Sequence, residues 1–261
     1  MRLRTGAPLA AAALAVTGVA FAGRVLWGAM FTHNPEYKLE TLDIVPGATK
    51  TAAEIKALSG VREGDNLFSF GAGEVRERIL SAALEIADVE VSKKLPSSLR
   101  VAVQDRVPVA RICDNRHAVD ATGFVFPLVA ADVVRHGNLP ILDPGDVRID
   151  PPVGRRLASS RGAVPGGPEE RLERALRLLV ALASRPDYPC GVQYVEAGHP
   201  TYLVVFTDDH RMFRVIWEEI PDDESVSDAL DLLGAALVEP RAAGNRVFDV
   251  MRATRKVHAR P

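Results

Sequence analysis

Cysteine is nearly absent: Cys113 and Cys190 are the only two in 261 residues. They lie far apart and outside any CxxC spacing, which excludes a disulfide-stapled scaffold, a thioredoxin-type pair and a cysteine zinc site, while one bridge between them stays open. Charge of one sign is also lacking, since 32 basic residues face 34 acidic ones for a formal net charge of -2. Setting aside the first 31 residues removes Arg2, Arg4 and Arg24 and no acid, so nothing in the remainder steers toward nucleic acid. Catalytic strings are missing as well. There is no Gly-x-Ser-x-Gly elbow, no HxxxH pair, and neither the Ser-x-x-Lys nor the Lys-Thr-Gly of penicillin-binding acyl transferases. No repeat of fixed period appears. Aromatic residues are sparse at 6%, and 18 prolines mark short elements and frequent turns.

What is present begins with an apolar run. Gly6 to Gly23 carries no charge, and after Arg24 the sequence VLWGAMF continues to Phe31. A span of roughly 20 apolar residues matches a hydrocarbon core. We therefore expect a short cytoplasmic tail over residues 1–6, a transmembrane helix with its flank over 7–31, and the bulk of the chain outside. The basic Arg2 and Arg4 hold the N-terminus inside. Arg24 can reach the headgroups from the far end, with Trp27 as interfacial anchor. A cleaved signal peptide, with small residues at Ala20-Phe21-Ala22, is the alternative.

The remaining length suits two modest domains. Thr32 to Glu36, containing Asn34-Pro35, reads as a polar hinge. Lys38 to Val45 reads as a strand closed by Pro46-Gly47. Thr51 and Glu54 have capping-box spacing for a helix that Gly60 ends. After the turn at Gly64-Asp65-Asn66, a second helix over Gly73 to Ala83 places Val75, Ile79, Ala82 and Ala83 on one face. Ile86 to Lys93 and Leu99 to Val103 alternate as the two strands of a hairpin, joined by Leu95-Pro96-Ser97-Ser98. The order strand, helix, helix, strand, strand predicts a small α+β module over 37–107, a three-stranded sheet with two helices on one face.

A second, β-rich region with flanking helices is expected over 108–251. Val109 to Ile112 and His117 to Leu128 are extended, with a turn at Ala121-Thr122-Gly123, and a Pro- and Gly-rich stretch follows over 138–167. Pro168 opens the clearest helix, with Glu169 and Glu170 in its first turn and Leu172, Ala175, Leu176, Leu179 and Ala183 along one face. Strands are expected near Gly191 to Glu196, Thr201 to Phe206 and Arg211 to Trp217, a helix near Ser225 to Val238, and a last strand near Arg246 to Val250. Arg252, Arg255, Lys256 and Arg260 then make a basic tail over 252–261 that reads as a solvated, frayed terminus.

Three strings hold a family resemblance: Gly64-Asp65-Asn66-Leu67-Phe68; the run from Val89 through Lys93-x-Leu95-Pro96 to Asp105-Arg106-x-Pro108-Val109-Ala110; and Asp120-x-x-Gly123-x-Val125-Phe126. Together they resemble the FtsQ/DivIB family of bacterial cell-division proteins. The resemblance implies a single membrane anchor, a POTRA domain, a C-terminal β-domain, and a non-catalytic protein without cofactor at the division septum of the cytoplasmic membrane. It implies partners of the FtsB and FtsL type, with FtsK-like and FtsW/FtsI-like proteins as further neighbours. It also implies that C-terminal strands pair with a partner strand, which points to Val247, Phe248, Asp249 and Val250 as a docking edge. Asp105, Arg106, Pro108, Val109 and Ala110 mark the domain junction, where Pro108 interrupts pairing. A POTRA-bearing export or outer-membrane assembly protein is the alternative, although the chain has one such module and no run of barrel strands. A secreted hydrolase has only Asp208-Asp209-His210 to build on, and that triplet lies between two strands, where turns are favoured.

Overall fold

The computed structural model describes residues 28–32, 34–112, 116–136, 139–145, 154, 156–157, 167–217, 221–239, 246–251 and 256–260. The expected membrane segment up to Trp27, Cys113, and Arg252 and Arg255 of the basic tail lie outside them. Among the described residues no helix is long and apolar enough to cross a membrane. The chain forms two compact units, Met1–Asp105 and Arg106–Pro261.

The first unit contains β1 (Thr41–Val45), α1 (Ala52–Ser59), α2 (Ala72–Ala82), β2 (Ile86–Lys94) and β3 (Ser98–Asp105). Local signals set the helix ends. The Thr51 hydroxyl accepts the Glu54 N–H at 3.3 Å, the Glu54 carboxylate accepts the Thr51 N–H at 2.8 Å, and Gly60 closes α1 in the left-handed region at φ 66°. β3 lies centrally, antiparallel to β2 and parallel to β1. The parallel pair is made feasible by the long crossover through α1, α2 and β2. Leu99 and Val101 of β3, Val89 of β2, and Ile55, Val75 and Ile79 of the helices bury one shared core. The period of two along the strands meets the period of 3.6 along the helices there.

The expected hinge before β1 is a fixed segment instead. Asn34 caps a 3-10 turn, Pro35–Tyr37, its side chain accepting the Glu36 N–H at 3.0 Å. The chain is then stitched to the Gly64–Leu67 turn by Leu67 N–H to Tyr37 O at 2.9 Å and Leu39 N–H to Asp65 O at 2.7 Å. Local composition suggested freedom; partners some thirty residues downstream remove it.

The second unit is built on a nine-stranded mixed sheet in the order β12-β11-β10-β9-β8-β7-β4-β5-β6. Its strands are β4 (Pro108–Ile112), β5 (His117–Asp120), β6 (Val125–Pro127), β7 (Ile141–Asp143), β8 (Val192–Glu196), β9 (Tyr202–Thr207), β10 (Met212–Ile216), β11 (Val247–Met251) and β12 (Lys256–Arg260). The helices are α3 (Ala130–His136), α4 (Pro168–Ala183) and α5 (Asp223–Val238). Leu172, Ala175, Leu176 and Leu179 of α4 are buried as their spacing predicts, with Leu178 added and Ala183 left exposed at the helix end. Against them lie Val226, Leu230 and Leu233 of α5 and Val205, Phe213 and Phe248 of the sheet. The whole is a mixed α/β protein with a β-rich C-terminal region.

Candidate docking edge and domain junction

Val247, Phe248, Asp249 and Val250 lie in β11, and β11 is bonded on both sides. It runs parallel to β10, with Phe213 opposite Phe248, and antiparallel to β12, with Val250 opposite Val257. Phe248 is fully buried against Phe213, ring centroids 5.6 Å apart, and Val250 is buried beside it. Asp249, also buried, receives both Nε (2.7 Å) and Nη2 (3.0 Å) of Arg214. A planar guanidinium on a carboxylate in this forked arrangement is a strong, orienting pair. The expected edge is therefore an interior strand. The correction follows from the tail: Lys256–Arg260, expected to fray, folds back as β12, and Val257 packs against the core.

The edge of this sheet is β12. Among the described residues nothing pairs with its outer side, so backbone N–H and C=O groups of residues 256–260 face outward in a row. The opposite end is covered. Gly154 N–H donates to Val125 O at 2.9 Å, Leu157 N–H donates to Gly123 O at 2.8 Å, and Phe124 bridges Arg156. One end of the sheet is thus covered by the chain itself, and among the described residues the other is not.

The junction residues are tied separately into the two units. The Asp105 carboxylate, at the end of β3, accepts Ala48 N–H (2.5 Å), Thr49 N–H (3.1 Å) and the Thr49 hydroxyl (2.6 Å). Gly47 makes room for it, because a Cβ there would lie 2.2 Å from the carboxylate oxygen. Its neighbour Arg106 donates to Asp120 at 2.7 Å and lies over the Phe124 ring at 3.7 Å. The other Asp120 oxygen accepts Thr122 N–H, Thr122 Oγ1 and Phe124 N–H at 2.7 to 3.0 Å, which folds the Asp120-x-x-Gly123 turn. Pro108 opens β4 at a register shift, and Val109 and Ala110 enter the core. The motif's chemistry is structural.

Asp208-Asp209-His210 forms the turn between β9 and β10. Asp208 exchanges bonds with the Gly191 backbone, Asp209 pairs with Arg211 at 2.8 Å, and His210 sits in the left-handed region at φ 62°. Cys190 is half-buried, and burial together with the nearby Asp209 and Asp208 carboxylates pushes its thiol up to about 12, the direction of an inert cysteine. A cleft of about 610 Å³ lined by α4 and α5 displays Arg177 and Arg185. Both are engaged as braces, Arg177 to Pro221 O at 2.7 Å and Arg185 to Asp231 at 2.6 Å.

Residues 38–106 match the family described as POTRA domain, FtsQ-type. Residues 38–106 are an FtsQ-type POTRA domain. The likeness extends well past it. The chain is 30% identical to the cell division protein FtsQ of Geotalea daltonii over 192 residues, 71% of this chain and 62% of that protein. It is 30% identical to FtsQ of Syntrophotalea carbinolica over 188 residues, 70% of this chain and 61% of that protein. It is 23% identical to FtsQ of Mycobacteroides abscessus over 225 residues, 85% and 62% respectively. The chain thus spans about three fifths of the length of these relatives. The resemblance to the FtsQ family, stated above from three short strings, is borne out by the domain match and by these relatives together. β12 and the bonds from the Asn66 amide to Phe31 O (2.9 Å) and Asn34 O (3.1 Å) were not found from sequence. The signal available for the first was a lone valine between polar residues, and for the second the Gly-x-Asn-Leu-Phe string itself.

Proposed function

We propose that this chain is a non-catalytic, membrane-tethered scaffold of the cell-division apparatus. In this reading the transmembrane helix within residues 7–31, which also include its flank, crosses the cytoplasmic membrane once, with the N-terminus inside. The POTRA domain and the β-rich unit stand outside at the septum and recruit FtsB- and FtsL-like proteins, with FtsK-like and FtsW/FtsI-like proteins as neighbours. The observation that carries the proposal is the open outer side of β12 at one end of a sheet whose other end is covered. A partner segment adding there gains a ladder of backbone hydrogen bonds, while side-chain contacts supply specificity. The cell-division relatives support the same reading.

The cellular test is localisation with depletion. Fluorescently tagged chain is expected to gather at the division site, and its depletion to give filaments or other failure of division. Diffuse envelope staining in cells that divide normally overturns the proposal.

A further inference from the structure

The Gly64-Asp65-Asn66-Leu67-Phe68 turn holds a second docking surface, whose occupant is a segment of this same chain. Asn66 Nδ2 donates to two carbonyls of the entering segment, Phe31 O at 2.9 Å and Asn34 O at 3.1 Å. The same side chain's Oδ1 accepts the Phe68 N–H at 2.8 Å, so both ends of the amide are engaged and its orientation is fixed. Phe68 presents its ring to Phe31 at 5.2 Å and, edge-on, to Tyr37 at 5.0 Å, while Phe31 and Tyr37 stack at 6.0 Å. Three aromatic rings in mutual contact contribute beyond their buried area. The mount is rigid, because Leu67 between Asn66 and Phe68 is fully buried in the core of the unit.

From these contacts we infer that Asn66 and Phe68 form a latch that grips the chain at Phe31, the last residue of the apolar run. The POTRA domain is thereby carried in a fixed orientation over the membrane instead of swinging on a tether. The inference rests on the proposal that the apolar segment is a retained membrane span. Its physical basis is chain length. A free linker of even a few residues lets a domain sample a wide range of tilts. Here the attachment points at Phe31, Asn34, Tyr37 and Leu39 leave no such free stretch between Phe31 and Leu39 among the described residues.

The test uses the full chain reconstituted in phosphatidylcholine vesicles, with Cys113 and Cys190 replaced by serine and a fluorophore on E90C. Phe31→Ala and Asn66→Ala are compared with the parent. Phe31→Ala leaves the POTRA core untouched, so its result does not depend on whether Asn66→Ala folds. The latch predicts that proteinase K cuts between residues 28 and 37 at least tenfold faster in both variants, and that the fluorophore's residual anisotropy falls as the domain begins to wobble. Equal cleavage and equal anisotropy in parent and Phe31→Ala overturn the latch. Release of the intact chain from vesicles by alkaline carbonate overturns instead the membrane tether, and with it the fixed orientation, while the cleavage comparison still reports on the contacts at Phe31.

Discussion

Asp120 shows how a motif residue acts through geometry. One oxygen folds the following turn and the other receives Arg106, and both side chains are largely shielded from water, at 10% and 16% exposure. Removing one member of such a pair leaves the other buried without its counter-charge, so Asp120→Ala is expected to cost the second unit about 3 kcal/mol. Urea unfolding followed by far-UV circular dichroism measures it. Cys190 makes a different prediction. Thiolate is the reactive form, and with the thiol pushed up to about 12 only a small fraction ionises near neutrality. In a Cys113→Ser background, alkylation of Cys190 at pH 8 is expected to run at least about tenfold slower than that of an unhindered thiol. It should become ordinary in denaturant. Lys50 supplies the pH dependence. Its hydrogen bond to Glu85 raises its ionisation above the usual lysine value of 10.5, despite some desolvation. A raised value means that the stabilisation is fully present below about 10.5 and is lost as pH rises through the folded-state value. Thermal melts of the parent should therefore decline in that alkaline window, and Lys50→Met should flatten the decline.

At the scale of elements, β11 is a packed interior strand and β12 an edge strand. Phe248→Ala empties a fully buried site and is expected to cost about 3–5 kcal/mol in unfolding experiments, as a core residue would. A residue serving only an exposed edge would cost little. Much of the element structure was legible beforehand, because it is written locally. Thr51 with Glu54, Gly60, and the 3.6-residue spacing of Leu172, Ala175, Leu176 and Leu179 each fix a cap or a face without reference to distant chain. β12 was not legible for the opposite reason. Lys256-Val257-His258-Ala259-Arg260 has a single large apolar residue, and its strand conformation comes from pairing with β11. β7 has only three residues within a Pro- and Gly-rich stretch, and it exists because β4 and β8 flank it on both sides. The segment at Asn34-Pro35 read as a hinge because its restraints arrive from Asn66, far along the chain.

At the scale of the whole molecule, the docking account depends on the asymmetry of the large sheet, one end covered by Gly154, Arg156 and Leu157 and the other bounded by β12. The strand that the family resemblance nominated as an edge, β11, is an interior strand, because alternation could not reveal β12 beyond it. Capture of FtsB- and FtsL-like candidates by the chain tests the central claim most directly. Three variants are compared with the parent: a chain ending at Arg255, Val257→Pro and His258→Pro. Adjacent residues of a strand direct their N–H groups to opposite sides, so one of the two proline variants removes an outward donor and leaves the bond to β11 in place. The account predicts that capture falls at least tenfold in that variant and in the shortened chain, with Phe248 still buried by near-ultraviolet circular dichroism. Unchanged capture in all three contradicts it.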